Sequence, residues 1–310
     1  MIENHNYHNN TCRSFLQGWK DKNGKEVNEG RMNIGVVTIN PVSIALESNG
    51  NKEVFWKKLE EVMNLAHKAL IVKKEGAFKA LPQNAPMLYK EGVFGKHLED
   101  NENVRTVFED LRATISLGYI GLYEVGAIMF EKDWETNKEA KEFPLDVLKF
   151  MKDSCLKWSK EEGIWYSVYS TPSESLTKKK KKKDREKFGI IENITDKEYY
   201  TNSYHYDTRK NPTPFEKLDF EKDYPHHTSG GFIHYVEYPN IKQNLKALET
   251  VWDYSYDKIG YLGTNTPVDK CFECCSESEF RTTDKGFECP RCGNNDPNKS
   301  DVVRRTCGLK

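Results

Sequence analysis

Gly30-Arg31-Met32-Asn33-Ile34-Gly35-Val36-Val37-Thr38-Ile39-Asn40 is the stretch on which the fold turns. Residues 33–40 are a short apolar, β-branched run with polar ends, the pattern of a buried strand. Downstream, residues 52–74 place Val54, Phe55, Leu59, Val62, Met63, Leu65, Ala66, Ala69 and Leu70 at helical spacing, which predicts an amphipathic helix. The pattern then predicts a helix over 101–118. Gly118, Gly121 and Gly126 follow among apolar side chains, as where backbones approach closely. A helix over about 145–161 is expected, with Pro144 as its first residue and Gly163 as its stop. Ile164–Tyr169 reads as a strand, Gly231–Glu237 as another, 242–256 as a helix and Ile259–Leu262 as a strand. Strands that are apolar throughout and alternate with long helices indicate an α/β architecture with parallel strands. Residues 1–30, polar and Gly/Asn-rich, read as loop.

The chain has 310 residues and a formal charge of −1, with 47 basic against 48 acidic residues. This balance supplies no general field to attract nucleic acid or an anionic membrane. Aromatic content of 12% argues against disorder throughout. No run approaches the ~20 apolar residues that span a bilayer, and the first residues show no signal pattern. The expectation is a cytoplasmic chain that needs no membrane. Lys178–Lys183 is a six-lysine run, expected to be a solvated loop or helix end.

From Val268 the composition changes to Cys, Gly, Asp and Asn, which marks residues 268–310 as a small module separate from 1–267. Six of the eight cysteines fall there. Cys271-x2-Cys274 and Cys289-x2-Cys292 are two knuckles fourteen residues apart. Each lets two thiolates reach one ion from a tight turn, and two complete a tetrahedral shell suited to structural Zn²⁺, with an iron–sulfur site as competitor. So small a module would draw its folding energy from the metal. Cys275 is left as a spare thiol. Eight basic and eight acidic residues from Asp269 onward make the module a poor phosphate binder, so bracing the stretch beyond it is the better role.

That stretch is Arg304-Arg305-Thr306-Cys307-Gly308. Arg-x-Cys-Gly downstream of two CxxC knuckles resembles the glycyl-radical end of the anaerobic (class III) ribonucleoside-triphosphate reductases. Other segments match in order. Cys12-Arg13-Ser14 and the 30–40 run resemble the segment with the family's thiyl cysteine and substrate asparagine. Ser170-Thr171-Pro172-Ser173-Glu174-Ser175 resembles its TP-x-E segment. Tyr200-Thr201-Asn202-Ser203, Pro214–Leu218 and Ser229-Gly230-Gly231 leading to Tyr235-Val236-Glu237 follow. The resemblance runs through nearly the whole chain.

It implies the second half of a ten-stranded α/β barrel of parallel strands, followed by a zinc-ribbon module. It implies a radical on Gly308, installed by an iron–sulfur activase that uses S-adenosylmethionine, and a thiyl radical on Cys12. Ribonucleoside triphosphates would be the substrates, with Asn33 on the ribose. The partners implied are the N-terminal half of the reductase, the activase and, when complete, a second copy. Family chains are about twice as long and continue Cys-Gly-Tyr-x-Gly, where Leu309-Lys310 follow here. The expectation is therefore a segment without reductase activity by itself.

Read without the resemblance, Cys12 is an exposed or packed thiol and Asn33 a strand-entry residue. Glu174 divides evenly between packing and the active site. Cys155 reads as core filler, and His226-His227 and 199–206 as structural. Two rival functions stand beside the reductase: a non-catalytic zinc-braced binding module, and a nucleic-acid-binding zinc ribbon using Lys178–Lys183.

Overall fold

A computed structural model of the chain describes residues 7–11, 14–17, 19–21, 23–27, 30–108, 111–130, 134–242, 244–283 and 286–303. It divides into two compact units. The first takes the chain up to Asp207 together with Asp223–Phe232, and the second takes Thr208–Lys222 and the chain from Ile233 onward.

The N-terminal residues of the first unit are not simply loop. β1 (Tyr7–Thr11) pairs with β2 (Ser14–Gln17), and β3 (Trp19–Lys20) with β4 (Glu26–Val27), both antiparallel. The second hairpin turns at Asn23-Gly24, with Gly24 left-handed and the Asp21 carboxylate accepting from Asn23 N and Lys25 N. An Asn-Gly pair is a hairpin signal in its own right.

β5 (Met32–Ile39) is the strand expected at 33–40. Pro41 opens α1 (Pro41–Ser48), and Asn51 caps α2 (Lys52–Phe78) by accepting from Val54 N. α2 buries Phe55, Leu59, Met63, Ala66 and Leu70, spaced three or four residues apart. A one-turn helix, α3 (Pro86–Tyr89), follows.

The helix expected over 101–118 does not form. Asn103 caps a short 3₁₀ turn, Val104–Val107, and Leu111 adopts a left-handed conformation (φ 62°) that ends helical geometry. The chain then enters β6 (Ala113–Tyr119), in which every residue is buried. After α4 (Leu122–Phe130), Asn137 caps α5 (Lys138–Glu162) through Ala140 N, and Gly163 closes it at φ 67°. α5 starts seven residues before the expected first turn, which leaves Pro144 inside the helix. The aromatic cluster of Phe143 with Phe55 and Trp56 holds that segment in place. β7 (Trp165–Tyr169) matches the expected strand. The lysine run lies on α6 (Glu174–Phe188), not in a loop. Thr177, Lys181 and Asp184 form its buried stripe, and the other lysines stand outside it; long aliphatic stems suit such a face.

β5, β6 and β7 form a parallel sheet in that order, and Tyr169 bridges in parallel to Gly231. The two faces of the sheet differ. Ile115, Leu117, Tyr166 and Val168 are buried on one face, where Tyr166 meets His67 of α2 and Trp158 of α5. Thr114, Ser116 and Ser167, equally buried, occupy the other. Cys155 is core filler as expected, and burial pushes its thiol pKa up.

In the second unit, α7 (Pro214–Glu221) starts at a capping box between Thr213 and Glu216. β8 (His234–Glu237) pairs in parallel with β9 (Leu262–Asn265), with α8 (Leu245–Ser255) between them in sequence. These strands are shorter than the expected 231–237 and later than 259–262. His234 is buried, with Nδ1 2.7 Å from the buried Glu221 carboxylate, which also takes Lys217 Nζ. The cysteine region follows: β10 (Lys270–Cys271) pairs with β13 (Ser300–Asp301), and β11 (Arg281–Thr283) with β12 (Gly286–Glu288). Among the described residues no helix is long and apolar enough to cross a membrane.

Gly118 offers a direct check of the sheet. A Cβ there would overlap Thr171 Oγ1 and lie 2.6 Å from Thr38 Oγ1. Gly118→Ala should destabilise the chain by about 1–3 kcal/mol through overpacking, read from the midpoint of urea unfolding. An unchanged midpoint would mean that the two threonines do not close over the strand.

Candidate metal centre and polar sheet face

The cysteine region builds its site from two copies of one turn. Cys271 N donates to Ser276 O, and Cys289 N donates to Asn294 O, each at 2.9 Å across the same five-residue offset. The residue after each second cysteine is left-handed: Cys275 at φ 57° and Gly293 at φ 73°. Cys275 thus occupies the position that glycine fills in the other knuckle, and it is exposed.

The four remaining Sγ atoms of Cys271, Cys274, Cys289 and Cys292 lie within 4.8 Å of one another. Cys271 and Cys292 are 3.6 Å apart, and Cys274 and Cys289 3.7 Å. A tetrahedron with Zn–S bonds of about 2.3 Å has S–S edges of about 3.8 Å, so the donor set fits a tetrahedral thiolate-bound cation. The electrostatics point the same way. Burial opposes charge on Cys271, but the backbone N–H of Cys274, the Asn294 side-chain amide and the N–H of Glu273 outweigh it, bringing the pKa down to about 6. For Cys292, burial and the neighbouring thiols prevail over the Asn294 N–H and push the pKa up to about 12. One thiolate forms readily, and a full set needs a cation to offset the mutual repulsion. Cys271, Cys289 and Phe280 form the local core, with Cys274 and Val302 against it.

A second constellation lies in the first unit, on the polar face of the parallel sheet. Asn33 Nδ2 donates to Ser116 Oγ at 2.7 Å, and Asn33 Oδ1 accepts from Gly35 N at 3.1 Å. Ser116 Oγ is 2.9 Å from Ser167 Oγ. Toward the C-terminal strand ends, Thr38 Oγ1 and Thr171 Oγ1 are 3.4 Å apart beside Gly118. Asn33 and Thr38 are five residues apart and would face opposite sides of a regular strand. A bulge between Asn33 and Val36 sets two residues against one of β6 and brings both to the same face. At the start of the strand, Arg31 Nη2 donates to Thr114 Oγ1 at 2.8 Å, and burial lowers the guanidinium pKa to about 10.

Several ordered sequence segments meet around this face. Ser170 N donates to Gly231 O, and Gly230 N to Val168 O. Ser173 N donates to Asn202 Oδ1 at 3.0 Å. Thr201 is bound through its N–H and its hydroxyl to Glu124, a fully buried carboxylate that also takes Lys197 Nζ at 2.8 Å; Lys197 reaches Asp207 as well. Glu174 opens α6. Cys12, Gly308 and Arg304–Cys307 lie outside the described residues.

Sequence reading missed Ser116, Ser167 and Glu124. The alternation Thr114, Ser116, Gly118 is a period-two polar face, hidden by the helical reading of 101–118. Glu124 and Lys197 carry no local signal.

A family model described as anaerobic ribonucleoside-triphosphate reductase matches residues 2–309. An anaerobic ribonucleoside-triphosphate reductase of Haemophilus influenzae is 48% identical over 298 residues, 96% of this chain and 42% of that protein. The enzyme of that name from Enterobacteria phage T4 is 40% identical over 301 residues, 96% of this chain and 48% of the relative. The chain thus spans about half the length of the curated relatives it matches. A solved anaerobic ribonucleotide reductase superposes with a TM-score of 0.63 at 22% identity, over 90% of this chain and 40% of that one. The Thermotoga maritima enzyme in complex with dATP and CTP gives 0.62 at 22% identity, over 90% and 43%. At that identity the likeness concerns the fold.

The thiol set can be tested apart from any reaction. Changing Cys271, Cys274, Cys289 or Cys292 singly to Ser should reduce bound zinc well below one per chain, measured by elemental analysis after purification. Cys275→Gly should keep the full zinc content and stabilise the fold by about 1 kcal/mol, since a left-handed residue with a Cβ is replaced by glycine. Loss of metal on changing Cys275 would overturn the assignment of ligands.

Proposed function

The chain belongs to the anaerobic ribonucleoside-triphosphate reductase family, and from that premise we propose that it is the C-terminal catalytic portion of such an enzyme. It would take part in converting ribonucleoside triphosphates to 2′-deoxyribonucleoside triphosphates for DNA synthesis, in the cytoplasm and without oxygen. The observation that carries the reading is the Asn33 carboxamide, held on a polar sheet face among Ser116, Ser167, Thr38 and Thr171, where most parallel strands bear only apolar groups.

On this reading, Asn33 hydrogen-bonds the ribose, and Cys12 and Gly308 carry the radical chemistry. An activase using an iron–sulfur cluster and S-adenosylmethionine takes a hydrogen atom from Gly308. The resulting Cα radical takes the hydrogen atom of the Cys12 thiol, and the glycine C–H is restored. The thiyl radical takes the 3′-hydrogen of the ribose, and the 2′-hydroxyl leaves as water after protonation. A two-electron reductant (formate or a dithiol) reduces the resulting sugar radical, and Cys12 returns the 3′-hydrogen and becomes a thiyl radical again. A low-polarity, water-excluding enclosure protects such intermediates. Zinc on Cys271, Cys274, Cys289 and Cys292 braces residues 268–310 as the module that presents Gly308, and it takes no part in the reaction.

β5, β6 and β7 run parallel in the first unit and β8 and β9 in the second, and we read them as this portion's contribution to a ten-stranded barrel. Among the described residues β5 has a strand neighbour on one side only, and it is half-buried along nearly its whole length. We read that edge as the place where the remaining strands pair, whether they belong to the same polypeptide or another. Turnover then needs those strands and the activase, and the complete enzyme works as a homodimer.

The test is anaerobic activation of this segment together with the rest of the barrel, followed by electron paramagnetic resonance. A glycyl doublet is expected, absent in Gly308→Ala, and oxygen exposure should cleave the chain at that residue. Deoxynucleotide formation should fall at least about 100-fold in Cys12→Ala, since one essential step is lost. A doublet that survives Gly308→Ala, or turnover by Cys12→Ala at the wild-type rate, overturns the assignment.

A further inference from the structure

The Asn33 carboxamide has two N–H donors and two oxygen lone pairs. One donor goes to Ser116 Oγ, and one lone pair takes Gly35 N–H. Turned over by 180°, the amide would set its NH₂ group against the Gly35 N–H, donor against donor. The contacts therefore fix which edge of the amide stays open. That edge presents one remaining N–H and one remaining lone pair.

Ser116, in turn, is not a free partner. It is fully buried on β6, and its hydroxyl lies 2.9 Å from that of Ser167, which is 1% exposed on β7. After accepting from Asn33, the Ser116 hydroxyl keeps its proton and a second lone pair, and its bond to Ser167 can run in either direction. Gly230 confines Ser167 from the far side: a Cβ there would sit 2.6 Å from Ser167 Oγ, and the Gly230 N–H is bonded to Val168 O. Buried hydroxyls cost stability unless bonded, and alanine would fill both positions at nearly equal volume. The pair has its use in the group at the end of its chain.

We propose that Ser116 and Ser167 are positioning residues that act through Asn33: a buried hydroxyl relay across β7, β6 and β5 that orients the Asn33 carboxamide toward a sugar hydroxyl. The proposal rests on the reading of Asn33 as the ribose-facing residue. Its consequence is a division of labour, in which Asn33 touches substrate and the serines set its angle.

The experiment is a double-mutant cycle in the complete, activated reductase, with kcat and KM for a ribonucleoside triphosphate and the urea midpoint measured for each variant. Ser116→Ala should lower kcat/KM about tenfold, the worth of one well-placed hydrogen bond, and lower the midpoint modestly, because Ser167 and the Asn33 amide each lose a partner while the chain stays folded. Ser167→Ala, one bond further out, should give a smaller loss in the same direction. Asn33→Ala should lose more than either. The double variant Asn33→Ala with Ser116→Ala should be no worse than Asn33→Ala alone, because the relay has nothing left to orient. Wild-type kinetics in Ser116→Ala, or losses that multiply in the double variant while Asn33→Ala is itself impaired, overturn the relay and leave the role of Asn33 standing. Full activity in Asn33→Ala would remove the substrate role of Asn33, and the relay with it.

Discussion

The burial of β6 on both faces is the constraint on which the alignment of the sheet depends, and the hydrogen bond from Asn33 to Ser116 joins the edge strand to it. β6 lies between β5 and β7, with apolar side chains on one face and hydroxyls on the other. A slip of one residue would turn Ile115 and Leu117 into the polar face and strand Thr114 and Ser116 among helix side chains. The bulge in β5 follows from the same constraint. It costs one irregular pairing and brings Asn33 and Thr38 to one face despite their odd spacing. Gly118 then leaves room for Thr38 and Thr171 to approach over the strand.

Buried charge fixes the loops around that face. Glu124 has no contact with solvent and receives the Thr201 N–H, the Thr201 hydroxyl and Lys197. Such a carboxylate is tolerated because each of its bonds is made, and it draws the segment around 200 toward the start of α4. Asn202 reaches Ser173 from that segment. Polar pairing, rather than apolar packing, thus places the TP-x-E segment relative to the sheet. Asn40 and Tyr200 both donate to Asp184 on α6, which gives the lysine-rich helix a buried polar anchor under its charged surface.

The cysteine region solves a different problem. Its core is little more than Cys271, Phe280 and Cys289, with Cys274 and Val302 against it, too small to offset the loss of chain entropy. The repeated turn brings four sulfurs to tetrahedral separations, which suit a divalent cation that would supply the missing stabilisation. Cys275 bears the strain of the turn where Gly293 avoids it.

How much was legible follows from how local each signal is. The two CxxC knuckles, the strand at 33–40, the helical apolar spacing of α2 and the end of α5 at Gly163 are set by neighbours within a few residues, and the sequence showed them. The resemblance to the reductase family likewise needed only the order of motifs. By contrast, β6 read as a helix, because its period-two alternation runs for only seven residues and Leu111 gives no warning of its left-handed turn. Pro144 read as a helix start, because the aromatic packing that holds it inside α5 comes from α2. Lys181 read as solvated with the rest of its run, since a charge run looks solvated until a neighbour covers one side. The sequence by itself therefore determined the α/β class, the thiol set and the family. Only the tertiary structure decided that Asn33 meets Ser116, 83 residues away, and that Ser116 meets Ser167, 51 residues further on. Those pairs depend on strand register, which exists only once the strands are side by side.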